Sequence, residues 1–455
     1  MTRTIAELND PTLTRSDRRY LLEVSQRLRR VVTLSPVAQL VPGLSQYLLG
    51  HRRIGLVGLI ASGIGFAGLL AVIFGFVIDR RIGLGWATQE RPLTVIVVTA
   101  LILGIVWFAV GVHLAVTLWR DKPDGAHRPW IGALVMLVAI AQLLASGTIA
   151  YYANVQREFI SDLFPITSAA AAPIVNDALA VPLPPRPEPV VTGRVNILVL
   201  GGDAGQGRWG LRPDSISVVS IDLETAETII IGIPRNLQKA PFSEDSPLWG
   251  PYPSGYNCGA GCLISYLYTY ASGRPDLYPG AVQPGVEATR DAVEGVLGID
   301  IPYAVLMDMQ GFQALIDAIG GIDLCIPEDI KMTIGIVLIE AGCRTFDGEA
   351  SLAYARTRSD SDDYMRMTRQ REVQQALLVQ ADPLSVLQNF QSLTETGAKY
   401  IYTDIPQDGL GVLIDVALRA SGSQAETIEL VPPRINSVNP PFDQIRAIVK
   451  EALGE

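Results

Sequence analysis

The sequence predicts an α-helical transmembrane region followed by an α/β domain whose mixed central β-sheet is flanked by helices. Three observations predict this. Apolar residues gather before residue 160 in three long runs, a proline-rich stretch follows, and beyond it short strand-like apolar runs alternate with segments of helical period.

The runs are Ile54 to Ile78, Leu93 to Trp119 and Trp130 to Tyr152. Each exceeds the roughly 20 apolar residues a helix needs to cross a bilayer. The first begins too far from the N-terminus, and is followed by too many others, to be a cleaved signal peptide. A shorter apolar stretch, Val31 to Gly50, holds Pro36, Pro42 and Gly43 and is marginal as a crossing. Charge arbitrates. Residues 1–53 contain nine arginines, and a crossing at Val31 to Gly50 would separate Arg52 and Arg53 from the other seven. Residues 1–53 therefore read as a basic cytoplasmic segment with an interfacial or re-entrant stretch, and residues 54–154 as three transmembrane helices. The expected protein is a multi-pass plasma-membrane protein, with everything after the third crossing outside the cell.

Residues 155–193 include Pro182, Pro184, Pro185, Pro187 and Pro189, the composition of an extended, semi-rigid extracellular spacer. Residues 194–455 form one large extracellular domain. All four cysteines, Cys258, Cys262, Cys325 and Cys343, fall in this outer part, where disulfides persist. No CxxC pair supports a zinc site, and the local pairings Cys258–Cys262 and Cys325–Cys343 are favoured among the three connectivities.

Within the domain, Val195 to Gly201 reads as a buried strand. "SISVVSID" and "ETIIIGIP" flank the turn-like "LETA" and read as a hairpin. Phe312, Leu315, Ile316 and Ile319 have helical spacing that stops at Gly320–Gly321. Further helices are expected around Asp362 to Val379 and Asp443 to Leu453.

All three histidines, His51, His113 and His127, lie in the membrane portion. The outer domain therefore cannot build a Ser-His-Asp or Cys-His apparatus, nor a histidine-ligated metal. Its chemistry has to come from carboxylates, arginines, hydroxyls and backbone amides. The loop "GGDAGQGRWGLRPDS" after the first strand carries Asp203, Arg208, Arg212 and Asp214, and matches neither a P-loop nor GxGxxG. Arg235 follows a strand end.

The segment "ARTRSDSDDYMRMTRQREVQ" holds five arginines in an acidic chain. A helix starting near Asp362 or Asp363 puts Arg366, Arg369, Gln370 and Val373 on one face. Arg356 and Arg358, two apart in an extended run, share one side of a strand. Four guanidinium groups would then converge, and guanidinium matches phosphate oxygens with two parallel hydrogen bonds. A surface helix laced with Arg–Asp pairs is the competing reading. Nucleic acid is not expected as a partner of an acidic domain outside the cell. Asp203 and Asp214 could hold Mg²⁺, which prefers one or two carboxylates plus substrate phosphates. The arginines could neutralise a diphosphate.

The stretches "NILVLGGD", "LRPDSISVVSIDLETAETIIIGIPRN", "GFQALIDAIGGIDL" and "FDGEASLAYARTRSDSDDYMRMTRQR" resemble, in order, the LytR-CpsA-Psr (LCP) proteins of the Gram-positive cell envelope. The resemblance covers most of residues 195–380, and the forms "GGDAG.GRWGLR.D" and "DDYMRM.RQR" look like an actinobacterial branch. It implies an LCP-like fold and a phosphotransferase that moves a glycopolymer phosphate from a polyprenyl-pyrophosphate-linked glycan to peptidoglycan. It further implies Mg²⁺, with Mn²⁺ as a possible substitute, held by Asp203 and Asp214. Arg212 would contact phosphate, Arg235 would match the family's "PR[DN]" arginine, Arg356 and Arg358 its "R.R" pair, and Arg366, Arg369 and Gln370 its "R..RQ" helix. The lipid would run through an apolar core lined by the sheet and by Gly311 to Ile319. Arg208 stands where many members carry an arginine nearer the aspartate, and Asn236 replaces the commoner aspartate. Hydrolysis of the polyprenyl pyrophosphate, or a non-catalytic lipid-glycan-binding sensor, are the alternatives.

Overall fold

The computed structural model describes residues 31–120, 129–164, 192–203, 212–331, 336–357, 363–380 and 401–454, together with Thr14 and Arg19. The chain divides into two units, Met1–Arg157 and Glu158–Glu455.

The first unit contains α1 (Leu44–Leu48), α2 (Arg52–Ile78), α3 (Arg80–Thr88), α4 (Glu90–Arg120) and most of α5 (Pro129–Leu163). Among the described residues, α2, α4 and α5 are the three helices long and apolar enough to cross a membrane. Helix α5 passes the expected linker boundary at 155, because "ANVQREFISDL" ends the apolar run without any proline or glycine to end the helix. The spacer prolines lie outside the described residues. Within 31–50 the helical residues are 31–38 and α1, separated by turns around Gly43 at φ 100°. Over the described residues neither reaches the length of a crossing. Gln46 Nε2 donates to the Val110 carbonyl at 2.7 Å and Gln142 Nε2 to the Gln39 carbonyl at 2.9 Å, which fixes both pieces on the long helices. A Cβ on Gly43 would come within 2.3 Å of the Gly55 carbonyl oxygen, so the approach to α2 requires glycine.

The second unit is built on a six-stranded sheet of order β10-β3-β2-β1-β4-β9. Strands β1 (Arg194–Asp203), β2 (Arg212–Asp222) and β3 (Thr228–Ile233) form an antiparallel meander that contains the expected β2–β3 hairpin. Strand β4 (Tyr303–Asp308) runs parallel to β1, β9 (Ile401–Thr403) antiparallel to β4, and β10 (Glu426–Glu429) parallel to β3. The sheet is therefore mixed, as the alternation predicts. The β2–β3 turn is closed by Asp222 Oδ1, which accepts from the amides of Glu224 and Thr225 at 2.8 Å.

Side chains alternate across these strands. On one face Leu198, Leu200, Ile216, Val218, Ile231 and Ile233 are buried in a core shared with α6 (Ile264–Ser272), α7 (Pro284–Leu297) and α12 (Phe442–Leu453). The opposite face carries Gly201, Ser215, Ser217 and Gly232 in the intervening positions. It is covered by α8 (Met309–Ala318), α9 (Gly348–Arg356) and α10 (Asp363–Gln380), while α11 (Gln407–Ala420) follows β9. Asp308 caps α8 by accepting from the amides of Gln310 and Gly311 at 2.9 Å, and the helix ends before Gly320 and Gly321 at φ 86° and 94°.

Two small hairpins complete the fold: β5 (Ile322–Ile326) with β8 (Gly342–Phe346), and β6 (Ile330–Lys331) with β7 (Val337–Ile339). Both disulfides are the local pairs, Cys258–Cys262 and Cys325–Cys343, the second joining register partners of β5 and β8.

Candidate active site

Glycine and serine on the second sheet face leave little for α8, α9 and α10 to pack against. Between that face and the helices lies a cavity of about 620 Å³. Its floor is Val199 to Gly202 with Ser215, and its walls include Phe312 and Leu315 of α8, Leu352 of α9, and Val373 and Leu377 of α10. The size is within the range of small-ligand pockets, and the cavity lies at the carboxyl ends of the parallel pair β1 and β4.

Polar lining includes Asp214 near the start of β2, Asp308 at the end of β4, Arg356 at the end of α9, and Arg366, Gln370 and Gln374 on α10. Arg366 is only 3% exposed, which puts a fixed positive charge against a cavity whose walls are largely apolar. Gln370 Oε1 is buried without a hydrogen-bond partner among the described residues. Arg235, just after β3, reaches the site through Asp214: its Nη1 donates to Asp214 Oδ1 at 2.5 Å. Arg212 lies outside the cavity with its guanidinium 5.1 Å from the centroid of the Tyr266 ring. Asp203 is the register partner of Arg212 across β1 and β2, past a bulge at Gly201/Gly202, while its side chain lies outside the described residues. Arg208 and Arg358 are also outside the described residues.

Two expectations are corrected. Arg356 is not on a strand but is the last residue of α9: Asp347 caps that helix by accepting from the Ala350 amide at 2.8 Å, and helical periodicity carries through Tyr354 and Ala355. Arg369 does not join Arg366 and Gln370 in lining the cavity. The cavity stripe on α10 runs through Arg366, Gln370, Val373, Gln374 and Leu377, and Arg369 falls at its edge. Its Nη1 donates instead to the Thr357 carbonyl at 3.0 Å, tying α10 to the residue that follows Arg356.

Arg371, the fifth arginine of the segment, turns to β10. Its Nε is 3.1 Å from Glu429 Oε1, its guanidinium hydrogen-bonds Gln374 Oε1, and Gln374 Nε2 donates to Ser217 Oγ at 3.1 Å. Burial pushes the Glu429 carboxyl up, opposed by the attraction of Arg371. The sequence offered one signal for this pair, the glycine in "TIIIGI": a Cβ on Gly232 would sit 2.3 Å from Glu429 Oε2.

Among the described residues no three His, Cys, Asp or Glu side chains surround a common point. The backbone register puts Asp203 at the end of β1 and Asp214 near the start of β2, at adjoining strand ends.

The LytR_cpsA_psr family model matches residues 184–439, more than half of the chain. The chain belongs to that family. The regulatory protein MsrR of Staphylococcus aureus is 27% identical over 221 residues, 48% of this chain and 58% of MsrR. The polyisoprenyl-teichoic acid–peptidoglycan teichoic acid transferase TagU of Bacillus mycoides is 26% identical over 216 residues, 47% of this chain and 61% of TagU. This LytR_cpsA_psr chain thus spans less than two thirds of either relative's length. The crystal structure of B. subtilis TagV aligns with 58% of this chain and 98% of its own, at a TM-score of 0.43 and 24% identity.

Proposed function

We propose that this LytR_cpsA_psr protein transfers a glycopolymer phosphate from a polyprenyl-pyrophosphate carrier to peptidoglycan. The observation that carries the reading is one cavity with apolar walls whose polar lining combines Asp214, Arg356, Arg366 and Gln370. Apolar walls suit a polyprenyl chain, and a fixed guanidinium set suits a pyrophosphate. The printed name of TagU, a teichoic acid transferase to peptidoglycan, supports the same reaction class.

In this reading the lipid lies against Val199, Phe312, Leu315 and Leu377. Arg356 and Arg366 bind the pyrophosphate, Gln370 fixes one oxygen through its amide, and Arg235 holds the Asp214 carboxylate in place. Arg212, Arg208 and Arg358 add positive charge around the phosphates. Asp203 and Asp214 would hold Mg²⁺, or Mn²⁺ in its place. The metal would supply charge neutralisation on the phosphate oxygens. An acceptor hydroxyl oxygen bonds to the glycan-bearing phosphorus, the bridging P–O bond breaks, and polyprenyl phosphate leaves with that electron pair. The hydroxyl proton passes to solvent. The arginines oppose the charge that develops on the leaving phosphate.

In the same reading the basic N-terminal segment lies in the cytoplasm, a side its arginines favour, and the sheet domain lies outside the cell, where its two disulfides would persist.

The test uses the full chain in nanodiscs with a polyprenyl-pyrophosphoryl oligosaccharide, soluble peptidoglycan fragments and Mg²⁺. A glycan–phosphate–peptidoglycan product by mass spectrometry, lost in Asp203→Ala, supports the transferase. Free glycan phosphate with water as acceptor would make the protein a hydrolase. Tight lipid binding without turnover, unchanged in Asp203→Ala, would leave a regulatory binding role.

A further inference from the structure

On the Arg212 side of the site, outside the cavity, four tyrosines stand together. The chain between β3 and α6 is pinned there by Cys258–Cys262, by the bridges Gln238↔Leu263 and Ala240↔Tyr256, and by the Ile264 amide on the Leu237 carbonyl at 2.9 Å. The Ser265 amide donates to the Arg235 carbonyl at 3.2 Å, so the start of α6 is stitched to the residue that holds Asp214. The next residue, Tyr266, carries the Arg212 guanidinium on its ring. Tyr270 lies one turn on along the same helix face. Tyr252 meets Tyr270 edge-on at 5.4 Å and Tyr256 at 5.0 Å. Tyr252, Tyr266 and Tyr270 are partly exposed, whereas Tyr256 is buried beneath them. Burial and the neighbouring phenols push Tyr252 and Tyr256 up, so both remain neutral donors.

None of these tyrosines lines the cavity. If the lipid fills the cavity and the pyrophosphate meets the arginines, any sugar attached to, or attacking, the phosphorus must lie beyond them. Partly exposed rings that still carry hydroxyls suit a pyranose, which offers C–H faces for packing and a rim of hydroxyls for hydrogen bonds. We propose that Tyr252, Tyr266 and Tyr270 form a pyranose-binding subsite contiguous with the phosphate site, with Tyr266 shared between the sugar and Arg212. The identity of the ligand rests on the transferase reading above. Its sugar comes either from the donor glycan or from the acceptor.

Tyr266→Ala would also disturb Arg212, so the discriminating variants are Tyr252→Ala, Tyr270→Ala and their Phe counterparts. The full chain in nanodiscs is titrated with three probes: sugar-free polyprenyl pyrophosphate, a polyprenyl-pyrophosphoryl oligosaccharide, and a peptidoglycan tetrasaccharide. The alanine variants are expected to weaken one of the two sugar-bearing probes by about tenfold. The phenylalanine variants, which keep the ring, should lose less. Sugar-free polyprenyl pyrophosphate should stay within about twofold of wild type. Weakening of the tetrasaccharide assigns the subsite to the acceptor; weakening of the lipid oligosaccharide alone assigns it to the donor. If both sugar probes bind the alanine variants as they bind wild type, or neither binds wild type, the subsite is overturned and the cluster only packs the loop. Because binding is read without turnover, a tyrosine-dependent sugar affinity in a protein that forms no product would sink the transferase reading and leave the subsite standing.

Discussion

Arg235 Nη1 donates to Asp214 Oδ1 at 2.5 Å, joining the end of β3 to the start of β2 at the edge of the cavity. Both side chains are about one-fifth exposed, at 22% and 20%, so their pairing contributes only about 1 kcal/mol or less to stability. Its consequence is orientation: the carboxylate is fixed before substrate arrives.

Arg235→Ala should therefore lower the transfer rate by about 10²–10³-fold while barely moving the thermal midpoint. Arg235→Lys should recover part of the rate, because an ammonium keeps the charge but loses the planar fork. Initial rates at saturating donor, set beside thermal unfolding, separate the two effects. A large drop in midpoint with an unchanged rate would contradict the assignment.

Arg371 and Glu429 make the opposite case. The arginine side chain is 4% exposed and the carboxylate lies against β3, so the pair is set in the wall behind the cavity. Arg371→Met should destabilise by about 3–5 kcal/mol, since it leaves a buried carboxylate uncompensated. Arg371→Met combined with Glu429→Leu should recover much of that loss. Denaturant unfolding across the double-mutant cycle measures it, and additive losses would show that the two groups do not couple.

The sequence was legible where local rules decide. Val195 to Gly201, the "LETA" hairpin and the helix ending at Gly320–Gly321 follow from period and turn chemistry, and the structure has them all. The arginine segment was legible in part. Its helix and the Arg366–Gln370 stripe follow from spacing, but the place of Arg356 depended on a helix that Asp347 starts, and "ARTR" alone reads as extended. The split between Arg369 and Arg371 depends on what flanks α10, the Thr357 carbonyl on one side and Glu429 on the other. Glu429 is distant in sequence, and Thr357, though inside the same segment, meets Arg369 only through the packing of α9 on α10, which spacing does not reveal. The cavity itself had a trace: Gly201 of β1 beside Ser215 and Ser217 of β2, small residues on the sheet face that the cavity lies on.

That trace yields a direct test. Val199 is on the cavity floor, partly exposed, on the same strand face as Gly201. Val199→Trp should fill the floor and weaken polyprenyl pyrophosphate binding by at least about tenfold, with little change in stability because the new ring enters existing space. Binding of a labelled polyprenyl pyrophosphate, with circular dichroism as the fold control, reads the outcome. Unchanged affinity would mean that the lipid does not use this cavity.

The last prediction concerns pH and lies away from the cavity, on α7. Burial pushes Glu294 from its ordinary 4.5 up to about 7, with Asp291 and Asp300 adding to the rise while the Ile301 amide and Arg290 oppose it. Between pH 4.5 and about 7 the folded state holds a proton that the unfolded state has released. Stability contributed by this group is therefore complete below pH 4.5 and is lost as pH rises through about 7. Glu294→Gln keeps an oxygen that can accept from the Ile301 amide, now at 2.9 Å, and removes the titration. Its thermal midpoint should exceed that of wild type at pH 8, and the difference between them should shrink toward pH 5. A difference that grows on acidification would show that Glu294 is stabilised as the carboxylate, and that the Ile301 amide outweighs burial.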